Sequence, residues 1–385
     1  MNTLTLRGIT WNHSRAFPPL VATAQRFEEL HPGVQIEWRK RTLHEFGHQS
    51  LATLARDFDL LVIDHPMCGD AEAQGILTNL LPLLSPSEID DQNGDSMGSS
   101  WASYLFHDGL YALPIDAAAP AASFRPDLLD RHELPEPQSW RDVISLARRG
   151  WVRMPGFPPD LFLNFLGLCV SHGSPVAQTP DELADHTVGA ACLEMLREIA
   201  ALMPDDIFQM NPPALYELMA AEDTVAYCPF AYTYSNYSRP GFGARHLRFS
   251  GLVSLDDGTP MRSVLGGTGI AVSASCKERA LALEYSLFVS GRTCQQTLYG
   301  ACGGQPARRS AWLDPRLNAL TDDFFVRTSK SVETAWVRPR YPGYVGLQET
   351  GGTMIAEFCR AHENPEGTLD RLDALYRASI EGTAV

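Results

Sequence analysis

Asp59–Ile63 reads DLLVI, an unbroken apolar run behind one carboxylate. Such a run is the pattern of a strand buried on both faces, as in a sheet covered by helices above and below. Toward the N-terminus, Leu4–Trp11 alternates apolar and polar residues as a strand does. Pro18–Leu30 carries Leu20, Val21, Ala24, Phe27 and Leu30 at helical spacing and stops at His31-Pro32-Gly33. Val34–Trp38 alternates again. Strand, helix, strand, helix, strand predicts a parallel sheet with right-handed crossovers. Toward the C-terminus, Gly269–Ser273, GIAVS, has the same buried-strand character and is followed by a helix over Lys277–Val289.

The long excursion between these two runs reads as a second α/β block. Helices are expected over Trp140–Arg148, over Asp160–Cys169 behind Pro158-Pro159, and over Val188–Met203. Short strands are expected over Trp151–Met154 and Thr224–Tyr227, and helices in the tail over Met354–Ala361 and Leu369–Ile380. Two extended segments with Pro and Gly, Tyr111–Ala119 and Leu252–Thr268, read as crossings between blocks. A chain of 385 residues exceeds the usual single core. The expected division is therefore residues 1–114 with 262–312 in one lobe, and 115–261 with 313–385 in the other.

The formal net charge is -15, which argues against a nucleic-acid partner. The longest basic run is Arg39-Lys40-Arg41, and its ordinary reading is a solvated strand end. No window is apolar enough for a membrane span. Met1–Arg15 has no signal-like apolar region, so the expected setting is the cytoplasm, or the periplasm or exterior if a signal was removed. Cys68, Cys169, Cys192, Cys228, Cys276, Cys294, Cys302 and Cys359 show neither C-x-x-C nor zinc-finger spacing, which predicts free, mostly buried thiols and no metal site. No cofactor motif is present.

Taken in order, FEELHPGVQIEW, DLLVIDHP, LYALPIDAAAPAASFRPDLLDRHELPEPQSW, AYCPFAYTYSNYSRPG, VLGGTGIAVSASCKERALALEYSLFVSG and GGQPARRSAW resemble the segments of the extracellular solute-binding protein family 1, which includes sugar-binding proteins of ABC importers. Where that family usually has Asn-Lys after its first crossing, this chain has Ser123-Phe124-Arg125-Pro126. The resemblance implies a two-lobed α/β fold of the periplasmic-binding-protein type. It further implies a small polar ligand held between lobes, an ABC permease as partner, a monomer, and no chemistry on the ligand.

In such folds ligands lie beyond the carboxyl ends of the strands. Trp11, Asn12 and His13 follow the first strand and offer a ring face and hydrogen bonds, or a core tryptophan and a helix cap. Asp64 and His65 follow the third strand and suit hydroxyls or a cation, or cap the next helix. Asp116 in the first crossing faces ligand or holds the hinge. Asp160 at a helix start reads mainly as a cap. Phe230, Tyr232 and Tyr234 align with the family's aromatic segment. Gly267 and Thr268 lie in a turn whose N–H groups suit an anion or hydroxyl. Trp336, Arg338, Arg340 and Tyr344 resemble the family's cleft edge, where an arginine pairs with a ligand anion or joins the lobes. Two other functions stay open. One is a ligand sensor or carrier in the cytoplasm. The other is an enzyme on the same fold, with Cys228 as nucleophile and His13 or His65 as base, as in the thiaminase I group.

Overall fold

The computed structural model describes residues 3–42, 50–361 and 363–382. The chain divides into two compact units, Met1–Ala118 with Gly266–Val326, and Ala119–Leu265 with Arg327–Val385. It passes from one to the other at Ala118/Ala119, at Leu265/Gly266 and at Val326/Arg327, the last inside the helix Phe324–Glu333.

The first unit is built on a five-stranded sheet. Its strands are β1 (Leu4–Trp11), β2 (Val34–Arg41), β3 (Leu60–Ile63), β4 (Leu113–Ala118) and β8 (Gly266–Val272), in the order β2-β1-β3-β8-β4. β2, β1 and β3 are parallel, as the strand–helix alternation predicts. β8 runs antiparallel to both neighbours. It enters straight from the second unit, so no helical crossover sets its direction. Leu60, Leu61, Val62 and Ile63 are all fully buried. Each contributes about 1.5–3 kcal/mol of hydrophobic stabilisation. Helices α1 (Phe17–Leu30) and α4 (Arg279–Ser290) are tied to this sheet by one buried phenol. The Tyr285 hydroxyl accepts from Trp38 Nε1 on β2 at 3.0 Å and lies 3.0 Å from Thr23 Oγ1 on α1.

The second unit holds a three-stranded sheet of β5 (Pro120–Phe124), β6 (Tyr227–Tyr232) and β7 (Arg248–Ser250), ordered β6-β5-β7. Around it pack α2 (Trp140–Arg148), α3 (Pro158–Ser171), α5 (Tyr344–Arg360) and α6 (Pro365–Ile380), sharing one apolar core. α2 starts where expected because Ser139 and Asp142 form a reciprocal capping box.

Two expected strands are corrected. Trp151–Met154 makes only a single bridge, Val152 to Tyr227. The strand expected over Thr224–Tyr227 begins at Tyr227 and runs on to Tyr232, through Pro229. A proline fits there because the pairing slips: Ser123 faces Cys228 while Ala121 faces Ala231. The bulge leaves the missing N–H without a ladder position to fill.

Candidate functional site

In the first unit, the carboxyl ends of β1 and β3 and the paired stretches of β8 and β4 bring several expected residues to one sheet edge. Ile63 pairs with Gly269 and Thr268 pairs with Asp116, so Asp64, Thr268 and Asp116 stand in one row across three strands. Asp64 adds a negative charge that raises Asp116 further.

Asp116 is 1% exposed and is gripped by Arg15, itself 4% exposed. Arg15 Nε donates to Asp116 Oδ2 at 2.8 Å, and Nη2 donates to Oδ1. Burial pushes the Asp116 carboxyl up, while the Arg15 charge and hydrogen bonds pull it back down. Arg15 is the residue that sequence reasoning missed. It follows the W-N-H-S stretch, and no local pattern marks a buried cation there.

His13 shapes the turn from β1 into α1. Its carbonyl accepts from the N–H groups of Ala16 and Phe17, both at 3.0 Å, and its Nδ1 accepts from Arg15 N–H at 2.9 Å. Burial, and then the nearby Arg15 charge, lower its pKa to about 4, so the ring is neutral at neutral pH. Trp11 is buried in the first unit's core, while Asn12 beside it is exposed. Asp64 caps the short 3₁₀ turn His65–Met67 by accepting from His65 N–H at 2.8 Å, and its Oδ1 lies 3.2 Å from the buried imidazole's Nδ1.

Gly266–Gly269 is a strand with a bulge, where a turn was expected. Its backbone is paired with β4 along one edge. Gly267 has φ of +104°, and a Cβ there would lie 2.2 Å from the Asp116 carbonyl oxygen. The sequence needs glycine at this point because the two strands meet main chain to main chain.

In the second unit, the aromatic and cationic candidates hold the chain at Ser263–Leu265. Tyr232 OH donates to Val264 O at 3.3 Å and to Leu265 O at 3.5 Å. Arg338 Nε donates to Leu265 O at 3.2 Å and Nη1 to Gln348 Oε1 at 3.1 Å. Trp336 donates its N–H to Ser263 O and accepts from Leu265 N–H, both at 2.8 Å. Phe230 stacks on Trp140 with centroids 5.8 Å apart and planes at 4°. Tyr234 meets Tyr216 edge-on at 6.2 Å. Tyr344 is buried beside Tyr341 at the start of α5, and Arg340 is half-buried.

Cys228 lies inside β6, where a position just beyond a strand was expected, and is fully buried. Burial pushes its thiol up to about 12, so almost no thiolate forms at neutral pH. All eight cysteines are unbridged in this structure.

A match to the family of bacterial extracellular solute-binding proteins covers residues 10–289, well over half the chain. The chain belongs to that family. Solved structures of such solute-binding proteins share its fold at low identity. The GacH receptor of Streptomyces glaucescens, solved unliganded and with acarbose, superposes with a TM-score of 0.82 at 16% identity, covering 100% of both chains. A solute-binding protein of Agrobacterium radiobacter in complex with ribitol gives 0.80 at 18%, covering 97% of this chain and 98% of its own. One from Thermotoga lettingae bound to tagatose gives 0.82 at 16%, covering 98% and 100%. The α/β binding-protein fold class expected from the sequence is the one present. No described helix of this solute-binding protein is long and apolar enough to cross a membrane.

Asp160 does not cap α3; the N-cap residue is Phe157, and no side chain caps that end. The carboxyl is half-buried, and no cation pairs with it among the described residues, so burial pushes it up to about 8. Between pH 4 and 8 the folded protein then holds a proton that the unfolded chain releases. Stability should fall as pH rises across that window, by at most about 1.4 kcal/mol per unit. Asp160→Asn is expected to raise the melting temperature at pH 8 and to leave it unchanged at pH 4. A lower melting temperature for the variant at pH 8 would show instead that the ionised carboxylate stabilises the helix.

Proposed function

We propose that this protein is the ligand-capturing component of an ABC importer, taking an uncharged, hydroxyl-rich ligand of the sugar or polyol class. The observation that carries this reading is the state of its ionisable candidates. Asp116 is matched to Arg15, Asp64 to His65 and the first turn of its helix, and Arg338 to a carbonyl and an amide. His13 is neutral near pH 7. What these elements offer a ligand is then mainly hydroxyl, amide and ring groups, which suit a neutral polyol better than a carboxylate or phosphate. Relatives of the same fold solved with acarbose, ribitol and tagatose support the same class. An extracytoplasmic setting, a permease partner and a monomeric state belong to this proposal. The buried, protonated Cys228 thiol supports binding over nucleophilic catalysis.

A ligand that binds only the folded state stabilises it by about 2.7 kcal/mol at a hundredfold excess over Kd. Thermal melts with maltose, maltotetraose, ribitol, tagatose and small carboxylic acids should therefore show a shift for the neutral polyols only. Cys228→Ser should leave that shift in place, and mass spectrometry should recover the sugar unaltered. Consumption of the sugar, abolished by Cys228→Ser, would replace binding with catalysis. A shift for the acids alone would overturn the neutral-ligand class.

A further inference from the structure

On α3, Asp160, Asn164, Gly167 and Ser171 fall on one face, spaced four, three and four residues apart. This face borders a small open pocket of about 10 Å³ within the second unit, whose wall includes Asn164, Gly167, Phe230, Met261, Arg262 and Ser263. That size admits a single oxygen, a water or one hydroxyl projecting from a larger molecule. The polar side chains of the wall are not equivalent. Arg262 donates to Thr334 O at 3.0 and 3.3 Å, and Ser263 Oγ donates to Ser331 O at 3.2 Å. Ser171, at the far end of the face, is also committed, donating to Gly167 O at 2.7 Å and accepting from Arg262 N–H at 2.8 Å. Asn164 is 8% exposed, and its Nδ2 has no acceptor among the described residues.

A buried amide donor without an acceptor destabilises the ligand-free fold. Its neighbours in the wall, Leu163, Leu168, Met261 and Val264, supply none through their side chains. An acceptor can then come from a water or from a ligand oxygen that enters the pocket.

We propose that Asn164 is a specificity-determining residue, its Nδ2 donating to one ligand hydroxyl that projects into this pocket beside the Phe230 ring. The inference rests on the binding function proposed above. It selects ligands by their oxygen: a ligand lacking one at that point leaves the donor unpaired and is rejected.

Isothermal titration of maltose, maltotetraose, ribitol and tagatose against wild type and Asn164→Leu tests this. Leucine keeps the volume and removes the donor. The Kd of whichever sugar binds wild type should rise about tenfold or more, the loss of one hydrogen bond to a buried partner. The ligand-free melting temperature should stay level or rise, because an unpaired donor has been removed. A structural asparagine, or one that merely holds a water, gives the opposite pair: a lower melting temperature and an unchanged Kd. An unchanged Kd overturns the inference whatever the melting temperature does. Should the leucine variant fail to fold, Asn164→Ser carries the same comparison: a raised Kd supports the inference and a wild-type Kd overturns it. If wild type binds none of the four sugars, the binding function falls first and this inference with it. If wild type binds and the variants match it, only this inference falls.

Discussion

Replacing Arg15 with alanine is expected to destabilise the protein by about 3–5 kcal/mol, a large share of a typical domain's stability. The cause is the carboxylate left behind. Asp116 is 1% exposed, and Arg15 holds both its oxygens across 101 residues of sequence. Without the guanidinium, Asp116 must take up a proton or stay charged in a medium that solvates it poorly. The loss should deepen as pH rises, because the variant's carboxyl is held protonated by the fold and released by the unfolded chain. Asp116→Asn on the Arg15→Ala background should recover a large part of the loss, since the buried charge is then gone. Urea unfolding of the two single variants and the double variant at pH 5 and pH 8 reads this directly. Losses below about 1 kcal/mol, or additive effects, would show that the pair does not act as a unit.

Gly267→Ala should have a comparable effect through a different cause. The position combines φ of +104° with a virtual Cβ 2.2 Å from Asp116 O and 2.9 Å from Ala117 Cα. Both obstacles are backbone, so no rotamer change relieves them. Strain at a positive φ costs on the order of 1–2 kcal/mol by itself. Relieving the clash must also part β8 from β4, and the expected total is at least about 3 kcal/mol. Because β8 carries Thr268 beside Asp116, the ligand binding proposed above should be lost together with stability. Gly33→Ala is the control: its φ is +95°, yet a Cβ there meets nothing within 4 Å. It should show the strain alone. Equal losses at the two positions would mean that the strand contact at Gly267 contributes little.

Much of the fold was legible because the signals that define it are local. DLLVI could satisfy its apolar side chains only inside a sheet, and Leu60–Ile63 is such a strand. Leu4–Trp11 alternates and forms β1 with those bounds. The His-Pro-Gly stop ends α1 at Leu30, and Ser139 opens α2 through its capping box. The strand β6 was misread because Pro229 is a breaker in any local reading, and only its pairing with β5 shows that a bulge accommodates it.

The site was less legible, and for one reason throughout. Sequence supplies residue types after strands, but whether a polar group is open or already satisfied depends on a partner far away in the chain. Asp116 was seen as a candidate, while Arg15, which neutralises it, carries no local mark. Tyr232 reads as part of the family's aromatic segment and Arg338 as a contact to ligand or between lobes, and both hydrogen-bond the Leu265 carbonyl, 33 and 73 residues away. Asn164 reads as one polar interruption in an apolar helix, and only packing leaves its amide without an acceptor in a pocket wall. The sequence by itself determined the family, the two α/β blocks and the bounds of several elements, because side-chain periodicity and capping act over a few residues. The tertiary structure decided the direction of β8, the pairing of buried charges and which polar groups remain for a ligand, because hydrogen-bond satisfaction and desolvation are settled between residues that the chain alone does not bring together.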